Sequence, residues 1–131
     1  MLDTYICIYI IKKKPISVLQ KFKSLPVGAV AMSLVTYGEL EFGALRSKSA
    51  KKALDILDEL TAYIPVLPIP IDVAKDYADI RATLSAKGMP IGNNDLWIAA
   101  HARALDHTLI SNNVKEFERV DNLKLDNWVM E

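Results

Sequence analysis

With 131 residues, 51% of them hydrophobic, the chain has the length and apolar content of one compact domain, which argues against a disordered chain. Its 16 Lys and Arg residues balance its 16 Asp and Glu residues. The zero net charge excludes a nucleic-acid-binding surface made by overall positive charge, so any polyanion must be held by local basic patches or by bound metal. We expect a single domain over residues 1–131.

The cysteine content and the apolar runs bear on the compartment. Cys7 is the only cysteine, so no intramolecular disulfide can form, which suits a reducing environment. The longest apolar runs, 5–11 and 26–35, are shorter than the ~18 residues expected of a membrane span. The basic cluster at 12–14 follows the first apolar run, whereas a signal peptide carries its basic residues before it. We therefore expect a soluble, cytoplasmic protein without membrane contact.

Short apolar runs alternate along the chain with segments of helical spacing. In chain order the pattern predicts a very short strand at 1–3, a helix over 5–11, a helix opening at Pro15, a strand at 30–35, a helix opening at Thr36, a helix from Ser49, an edge strand at 64–69, a helix capped by Asp72 and closed at Gly88, a helix over 95–104, a strand at 108–110 and a final strand at 123–128. Strands separated by helices predict an α/β fold with a mainly parallel sheet and helices on both faces.

Four polar residues fall just beyond the predicted strands or at the helix starts that follow them. Asp3 ends the first strand, and Glu39 lies in the first turn of the helix after the 30–35 strand. Asp95 begins a helix after a Gly-Asn-Asn turn, and Asn113 follows the 108–110 strand. A parallel sheet brings such junctions to one edge, where α/β folds bind ligands. The four residues are therefore predicted to share a catalytic site.

Three carboxylates gathered in this way would repel one another, and at least one pKa would rise unless a cation balanced the charge. Mg²⁺, with Mn²⁺ as a substitute, accepts oxygen ligands and keeps several waters, so a few carboxylates and a substrate phosphate suffice. Asp3, Glu39 and Asp95 are the predicted metal ligands, and such a site suits phosphodiester hydrolysis. Zinc is not indicated, because the single cysteine and the two histidines do not cluster in the sequence.

Each of these positions also has a purely structural interpretation. Segment 36–39 matches the capping box S/T-x-x-E, in which Glu39 would serve backbone N–H groups. Asp3 would cap a helix and Asp95 would complement a helix dipole. Asn113 is a residue type typical of turns. The functional interpretation rests on the coincidence of all four at equivalent junctions.

Polar residues beside the acids are expected to hydrogen-bond the carboxylates and fix their rotamers. Thr4 and Ser111 are the main candidates, although an ordinary strand-end hydroxyl explains each of them equally well. Asn94 is expected to assist in the same way. Glu116 would compensate for the uncharged Asn113 if the short turn between them folds back toward the acids.

Four segments, in the right order, resemble the acidic motifs of PIN domains in the form found in the VapC toxins: MLDT at 1–4, SLVTYGEL with a following GA at 33–44, GMPIGNNDLWIA at 88–99, and SNN with EF and R at 111–119. Segment 125–128 resembles the closing strand of those toxins. The resemblance covers essentially the whole chain. It implies a three-layer α/β/α domain with a mainly parallel central sheet.

The same resemblance implies a metal-dependent endoribonuclease toxin that stops translation until a VapB-type antitoxin neutralises it. The catalytic quartet would be Asp3, Glu39, Asp95 and, by position, Asn113. VapC relatives with similar 92–95 and 112–117 segments are associated with cleavage of initiator tRNA in the anticodon loop, so a tRNA is the expected substrate. Two positions depart from the family pattern: Tyr5 stands where Asn is common, and Asn113 stands where an acid is usual.

Basic and apolar residues on the surface are candidates for binding RNA and protein partners. Lys12, Lys13, Arg46 and Arg81 are expected to position RNA, although a charged run is more often a solvated face. The apolar residues at 9–11 and the helix over 49–63 offer more hydrophobic surface than a small core consumes. The family resemblance implies a homodimer contact and a groove for the antitoxin tail.

Other function classes fit the sequence less well. A phosphoacceptor signalling module would need an adjacent acidic pair after the first strand, and a phosphatase with an aspartate nucleophile would need Asp where Tyr5 stands. The more serious alternative is a catalytically weak PIN-like module that binds RNA or regulates, because Asn113 removes one charge from the quartet.

Overall fold

The computed structural model describes residues 1–130, so the predicted domain end at residue 131 lies outside the described residues. Helices are α1 (Thr4–Lys12), α2 (Ile16–Lys23), α3 (Leu34–Leu45), α4 (Ala50–Tyr63), α5 (Val73–Ala86), α6 (Asn93–Ala104) and α7 (Val114–Phe117). Strands are β1 (Met32–Ser33), β2 (Val66–Leu67), β3 (Leu109–Ile110) and β4 (Leu125–Asp126).

The first residues of the chain form the centre of a parallel sheet. Leu2 makes parallel bridges to Met32 of β1 and to Ile110 of β3. β1 pairs in parallel with β2, and β3 with β4, so the order across the sheet is β2, β1, Leu2, β3, β4. The backbone N–H of Leu2 donates to the carbonyl of Ala31 at 2.9 Å, and that of Asp3 donates to Ile110 at 3.0 Å. The predicted parallel sheet is confirmed, with segment 1–3 at its middle.

Successive side chains of the sheet enter two separate cores, because they point to opposite faces. Met1 and Leu109 pack in one core, which contains buried residues of α5, α6 and α7. Leu2 and Ile110 pack in the other, which contains buried residues of α1, α2, α3 and α4. The predicted three-layer α/β/α arrangement is therefore confirmed. Among residues 1–130, no helix combines the length and apolar character needed to cross a lipid bilayer.

The junction between β1 and α3 differs from the expectation of a strand over 30–35 and a helix opening at Thr36. β1 covers only two residues, and α3 begins at Leu34. Ser33 is the N-cap: its Oγ accepts a hydrogen bond from the Val35 N–H at 3.1 Å. A serine cap satisfies a free donor of the first turn, so the helix starts there although the next residues are apolar. The capping box predicted for Thr36 and Glu39 is wrong.

Other boundaries shift by smaller amounts. β2 and β4 are shorter than the predicted runs 64–69 and 123–128. Pro65 and Pro68 flank β2, and proline cannot donate to a strand ladder. β2 pairs only with β1, so the predicted edge position is confirmed. α6 begins at Asn93, two residues before the predicted start, and Asp72 precedes α5 without a capping hydrogen bond from its side chain.

We expect Ser33→Ala to destabilise the protein by about 2–3 kcal/mol. The substitution removes the cap of α3, worth about 1 kcal/mol, and deprives the buried His101 of its Nδ1 partner, which lies 2.9 Å from Ser33 Oγ. Urea unfolding measures the change, and Ser85→Ala at an exposed position of α5 is the matched control. An unfolding free energy equal to that of the control would contradict this role of Ser33.

Candidate active site

Asp3 directly follows a central strand segment, and the other predicted acids lie in helices close enough to act on it electrostatically. Asp3 directly follows Leu2 at the middle of the sheet. Glu39 lies in α3, which starts as β1 ends, and Asp95 lies in the first turn of α6. Ser111 directly follows β3. Because all these strands run in parallel, their carboxyl ends share one sheet edge, and the acids interact electrostatically there.

Asp3 is buried, with 5% of its surface exposed. It is the N-cap of α1, and its Oδ1 accepts a hydrogen bond from the Ile6 N–H at 3.0 Å. Burial is the main cause that raises its pKa, with a smaller contribution from the charge of Glu39, whereas hydrogen bonds from Ser111 and Ile6 act in the opposite direction. The structural role predicted for Asp3 is thus confirmed, and it coexists with a place among the acids.

Glu39 is held by a hydroxyl group from the neighbouring helix. Thr4 Oγ1 donates to Glu39 Oε1 at 2.5 Å and also lies 3.3 Å from Thr36 Oγ1. Thr36 is fully buried and sits one turn before Glu39 on the same face of α3. The hydrogen bond expected from Thr4 to an acid is therefore present. The contribution of Thr36 was missed, although its i, i+3 spacing from Glu39 was visible in the sequence.

The surroundings of Asp95 disfavour its charged form. Its pKa is raised to about 6, first by burial and then by repulsion from Glu116, Glu39 and Asp3 in that order. Gly92 is the N-cap of α6, and Asp95 is an acidic residue in the first turn, so the favourable helix-dipole interpretation still holds. The raised pKa means that the dipole does not offset burial and the other carboxylates.

Asn113 and Glu116, the two candidates for the fourth position of the acidic site, are in direct contact. Asn113 is exposed, precedes α7, and donates through Nδ2 to Glu116 Oε2 at 3.0 Å. The one-turn helix α7 folds Glu116 back, and Glu116 is the carboxylate that contributes most to the raised pKa of Asp95. Ser111 is fully buried, and its Oγ accepts the Asn113 N–H at 2.9 Å. Glu116 therefore brings the fourth negative charge, and Asn113 holds it.

Asn94 differs from the other residues predicted to orient the acids. Among residues 1–130 its exposed side chain makes no hydrogen bond to an acid.

The basic residues predicted to contact RNA lie at several places. Lys13 is the C-cap of α1, ten residues after the N-cap Asp3, which places it about 15 Å along the helix from Asp3. Arg46 lies at the C-cap of α3, with its guanidinium 5.2 Å from the Phe42 ring centroid.

An apolar groove of about 370 Å³ runs between α1, α3 and α4, and its lining includes one of the acids, Glu39. Ile8, Ile11 and Ile56 line it, together with Lys12 and Glu39. The 9–11 segment and the 49–63 helix, singled out for surplus apolar residues, thus both contribute to one concave surface. Lys12 is the predicted basic residue that shares a cavity with one of the acids.

Any ion at this edge would be held by oxygen atoms alone. Asp3, Glu39, Asp95 and Glu116 all supply carboxylates, whereas Cys7 is buried in the core. In their present conformations, no three His, Cys, Asp or Glu side chains within residues 1–130 form a metal-holding group. Mg²⁺ is commonly held by one or two carboxylates plus waters and substrate phosphate. The donor chemistry therefore fits Mg²⁺ or Mn²⁺.

Comparisons with known proteins agree with this architecture. The PIN domain family model matches residues 1–123. The chain is 39% identical over 129 residues to ribonuclease VapC2 of Haemophilus influenzae, covering 98% of this chain and 97% of that protein. It is 40% identical over 128 residues to the tRNA(fMet)-specific endonuclease VapC of Shigella flexneri, covering 98% and 96% of the two proteins. The crystal structure of VapBC2 from Rickettsia felis, bound to a DNA fragment from the promoter, matches with a TM-score of 0.91 at 38% identity over 98% of each chain.

The fold and the acidic strand ends define a PIN domain, and these matches place the chain in that family. Within it, the chain belongs to the VapC ribonucleases of VapBC toxin–antitoxin systems.

We expect Asp95→Asn to stabilise the protein above pH 6 when no divalent cation is present. The pKa of Asp95 is near 3.8 in the unfolded chain and about 6 in the folded one. The folded state therefore binds more protons between these values, and stability falls as the pH rises through this window. Asparagine does not ionise, so the variant avoids this loss. Its unfolding free energy should exceed that of the wild type by about 1–2 kcal/mol after solvent screening is considered.

Urea unfolding from pH 4 to 8 in EDTA tests this expectation, with Asp55→Asn at an exposed position of α4 as the control. The advantage of Asp95→Asn should shrink as the pH falls toward 4. A pH-independent difference, or a loss of stability at pH 7, would show that folding does not raise the pKa of Asp95.

Proposed function

We propose that this protein is a metal-dependent endoribonuclease toxin that hydrolyses RNA phosphodiester bonds and is neutralised by a VapB-type antitoxin. The observation that carries the proposal is the convergence of Asp3, Glu39, Asp95 and Glu116 at one sheet edge, with the pKa of Asp95 raised to about 6 by burial and by the other three carboxylates. Carboxylates repelling one another at the end of a parallel sheet create a demand for a cation.

Asp3, Glu39 and Asp95 would hold Mg²⁺ or Mn²⁺ in this proposal. When bound, the ion would lower the pKa of a coordinated water and neutralise charge that develops on the phosphate. The chain itself supplies the fixed geometry. Thr4 holds the Glu39 carboxylate through its hydroxyl, and the Ile6 backbone N–H holds Asp3. Asn113 orients Glu116 beside Asp95, where its charge strengthens the attraction for a cation.

The substrate proposed is a tRNA, with the anticodon loop of initiator tRNA favoured. The name of the Shigella flexneri relative, at 40% identity, supports this choice. A single-stranded loop also suits a recessed acidic edge, because its backbone can be splayed to expose one phosphodiester bond. Such a substrate would place the action of this protein in the cytoplasm.

The apolar groove between α1, α3 and α4 is the proposed antitoxin site. Its lining is mostly aliphatic and includes Glu39. An antitoxin segment seated there would bury the apolar lining and close the approach to the acids. The VapBC complexes among the structural matches support a VapB-type partner. We also propose a homodimer, for which the exposed apolar side chains of Phe42 and Leu45 outside the groove offer contact area.

A catalytically weak PIN-like module that binds RNA or regulates is the alternative. It is favoured by the amide of Asn113 at the position of the usual fourth acid. The nearby charge of Glu116 weighs against this alternative.

Expression of the wild-type protein in bacteria should arrest growth, and Asp95→Asn should not. With purified protein and initiator tRNA, EDTA should abolish cleavage and added Mg²⁺ or Mn²⁺ should restore it. Asp95→Asn should lower the rate more than about 100-fold, since loss of a ligand exceeds the usual effect of losing a residue that only orients one. Asp55→Asn serves as the charge control. Equal toxicity of both proteins, or cleavage that persists in EDTA, would contradict the proposal.

Substitution of Ile56 by Asp should separate toxicity from neutralisation. Ile56 lines the groove and is 38% exposed, so a charge there would disfavour an apolar partner segment without entering the core. Growth arrest should persist, but co-expressed antitoxin should no longer relieve it. Ile71→Asp, at a side chain that is 94% exposed and outside the groove, is the control. Full relief by the antitoxin in the Ile56 variant would exclude this groove as its site.

A further inference from the structure

A stacked aromatic pair joins α5 to the start of α6, close to the acidic edge. The rings of Tyr77 on α5 and Trp97 on α6 have centroids 3.9 Å apart and planes inclined by 13°. Both side chains are half-buried against the core on that face of the sheet. The stack fixes the Tyr77 ring, so its hydroxyl has a defined position at the protein surface.

The Tyr77 hydroxyl connects an arginine to the first residue of α6. It accepts a hydrogen bond from Arg81 Nη1 at 2.7 Å and donates one to Asn93 Oδ1 at 2.5 Å. The guanidinium carbon of Arg81 lies 5.9 Å from the centroid of the Tyr77 ring. Arg81 is therefore held both by its nitrogen and by the face of the ring, although its side chain is exposed.

The charge of Arg81 is fixed but not neutralised. Arg103, on α6, donates to Asp76 at 2.7 Å and to Asp79 at 2.8 Å. Among residues 1–130, by contrast, no carboxylate lies within 4.0 Å of the Arg81 guanidinium. Its other N–H groups remain available, and a planar guanidinium of this kind binds a phosphate through two parallel hydrogen bonds.

The position of this group relative to Asp95 follows from helix geometry. Asn93 precedes Asp95 by two residues in α6, so the two side chains leave the helix about 200° apart. A helix with its side chains is about 10–12 Å wide. A phosphate bound by Arg81 would thus lie across the end of α6 from the acids, at a nucleotide next to the cleaved bond and not at the bond itself.

We propose that Arg81 binds a backbone phosphate of the RNA that flanks the scissile one, and that Tyr77 is the residue that positions Arg81 for this contact. This inference rests on the proposed ribonuclease function and adds a substrate-binding position to it. A guanidinium held in place before binding loses less side-chain entropy when the phosphate arrives. The contact is the same before and during the reaction, so it contributes to KM and not to kcat.

The test measures binding and cleavage of the same RNA, an initiator tRNA transcribed in vitro. Binding is followed in EDTA over a series of salt concentrations, and cleavage is followed in Mg²⁺. The variants are Arg81→Gln and Tyr77→Phe, the second of which keeps the stack on Trp97 and loses only the hydroxyl. Lys75→Gln is the control, because it removes a positive charge from an exposed position of α5 about 120° around the helix from Arg81.

Arg81→Gln should weaken binding and raise KM on the order of tenfold, with kcat within about twofold of wild type. The slope of log K against log salt should fall in magnitude by about 0.7–0.9, the value for one lost phosphate contact. Tyr77→Phe should raise KM by a smaller factor and keep the wild-type slope, because the charge of Arg81 remains. Lys75→Gln should change neither KM nor the slope.

A slope for Arg81→Gln equal to that of wild type or of Lys75→Gln would overturn the inference. The inference would also fail if Arg81→Gln bound and cleaved the RNA like wild type but its growth arrest was no longer relieved by co-expressed antitoxin, which would assign Arg81 to that partner. These outcomes are distinct from failure of the proposed function itself: wild-type protein that neither binds nor cleaves the RNA would refute both, whereas wild-type cleavage with an unchanged Arg81→Gln slope would refute only the role of Arg81.

Discussion

The parallel pairing of Leu2 with β1 on one side and β3 on the other is the constraint on which the site depends. Each paired strand has only two residues, so hydrogen bonds alone give the sheet little rigidity. The position of Leu2 is fixed by full burial and by the Met1 amino group, which donates to the Thr108 carbonyl at 2.8 Å. The hydrophobic cores on both faces of the sheet also help to fix the position of Leu2. Asp3 consequently emerges at the same edge as α3 and the residues after β3.

Bringing acids to that edge has an electrostatic cost, and within residues 1–130 these acids receive hydrogen bonds from neutral donors. Thr4 donates to Glu39, the Ile6 backbone N–H donates to Asp3, and the Asn113 amide donates to Glu116. Hydroxyl and amide donors orient a carboxylate without cancelling its charge, so the negative potential remains available for a ligand. Arg103, eight residues after Asp95 and in the last turn of α6, is paired with acids of α5. Stability given up at a site in this way is typical of functional centres.

The sequence predicted the layers of the fold and the strand-end position of the acids, because hydrophobic alternation and parallel topology together determine which junctions meet. It did not predict that α3 begins at Leu34, since the apolar 30–35 run hides the Ser33 cap. Nor could it decide between Asn113 and Glu116, because that depends on how α7 turns back. Contacts between helices distant in sequence, such as Tyr77 with Asn93, depend on packing that periodicity does not encode.

A crystal of the protein soaked in Mn²⁺ would show whether the acids bind a cation, because the anomalous signal locates the ion without assumptions about its ligands. We expect a peak within about 2.0–2.6 Å of carboxylate oxygens from at least two of Asp3, Glu39 and Asp95, with waters completing an octahedral shell. A strong peak elsewhere, with none at the carboxyl end of the central strands, would contradict this expectation.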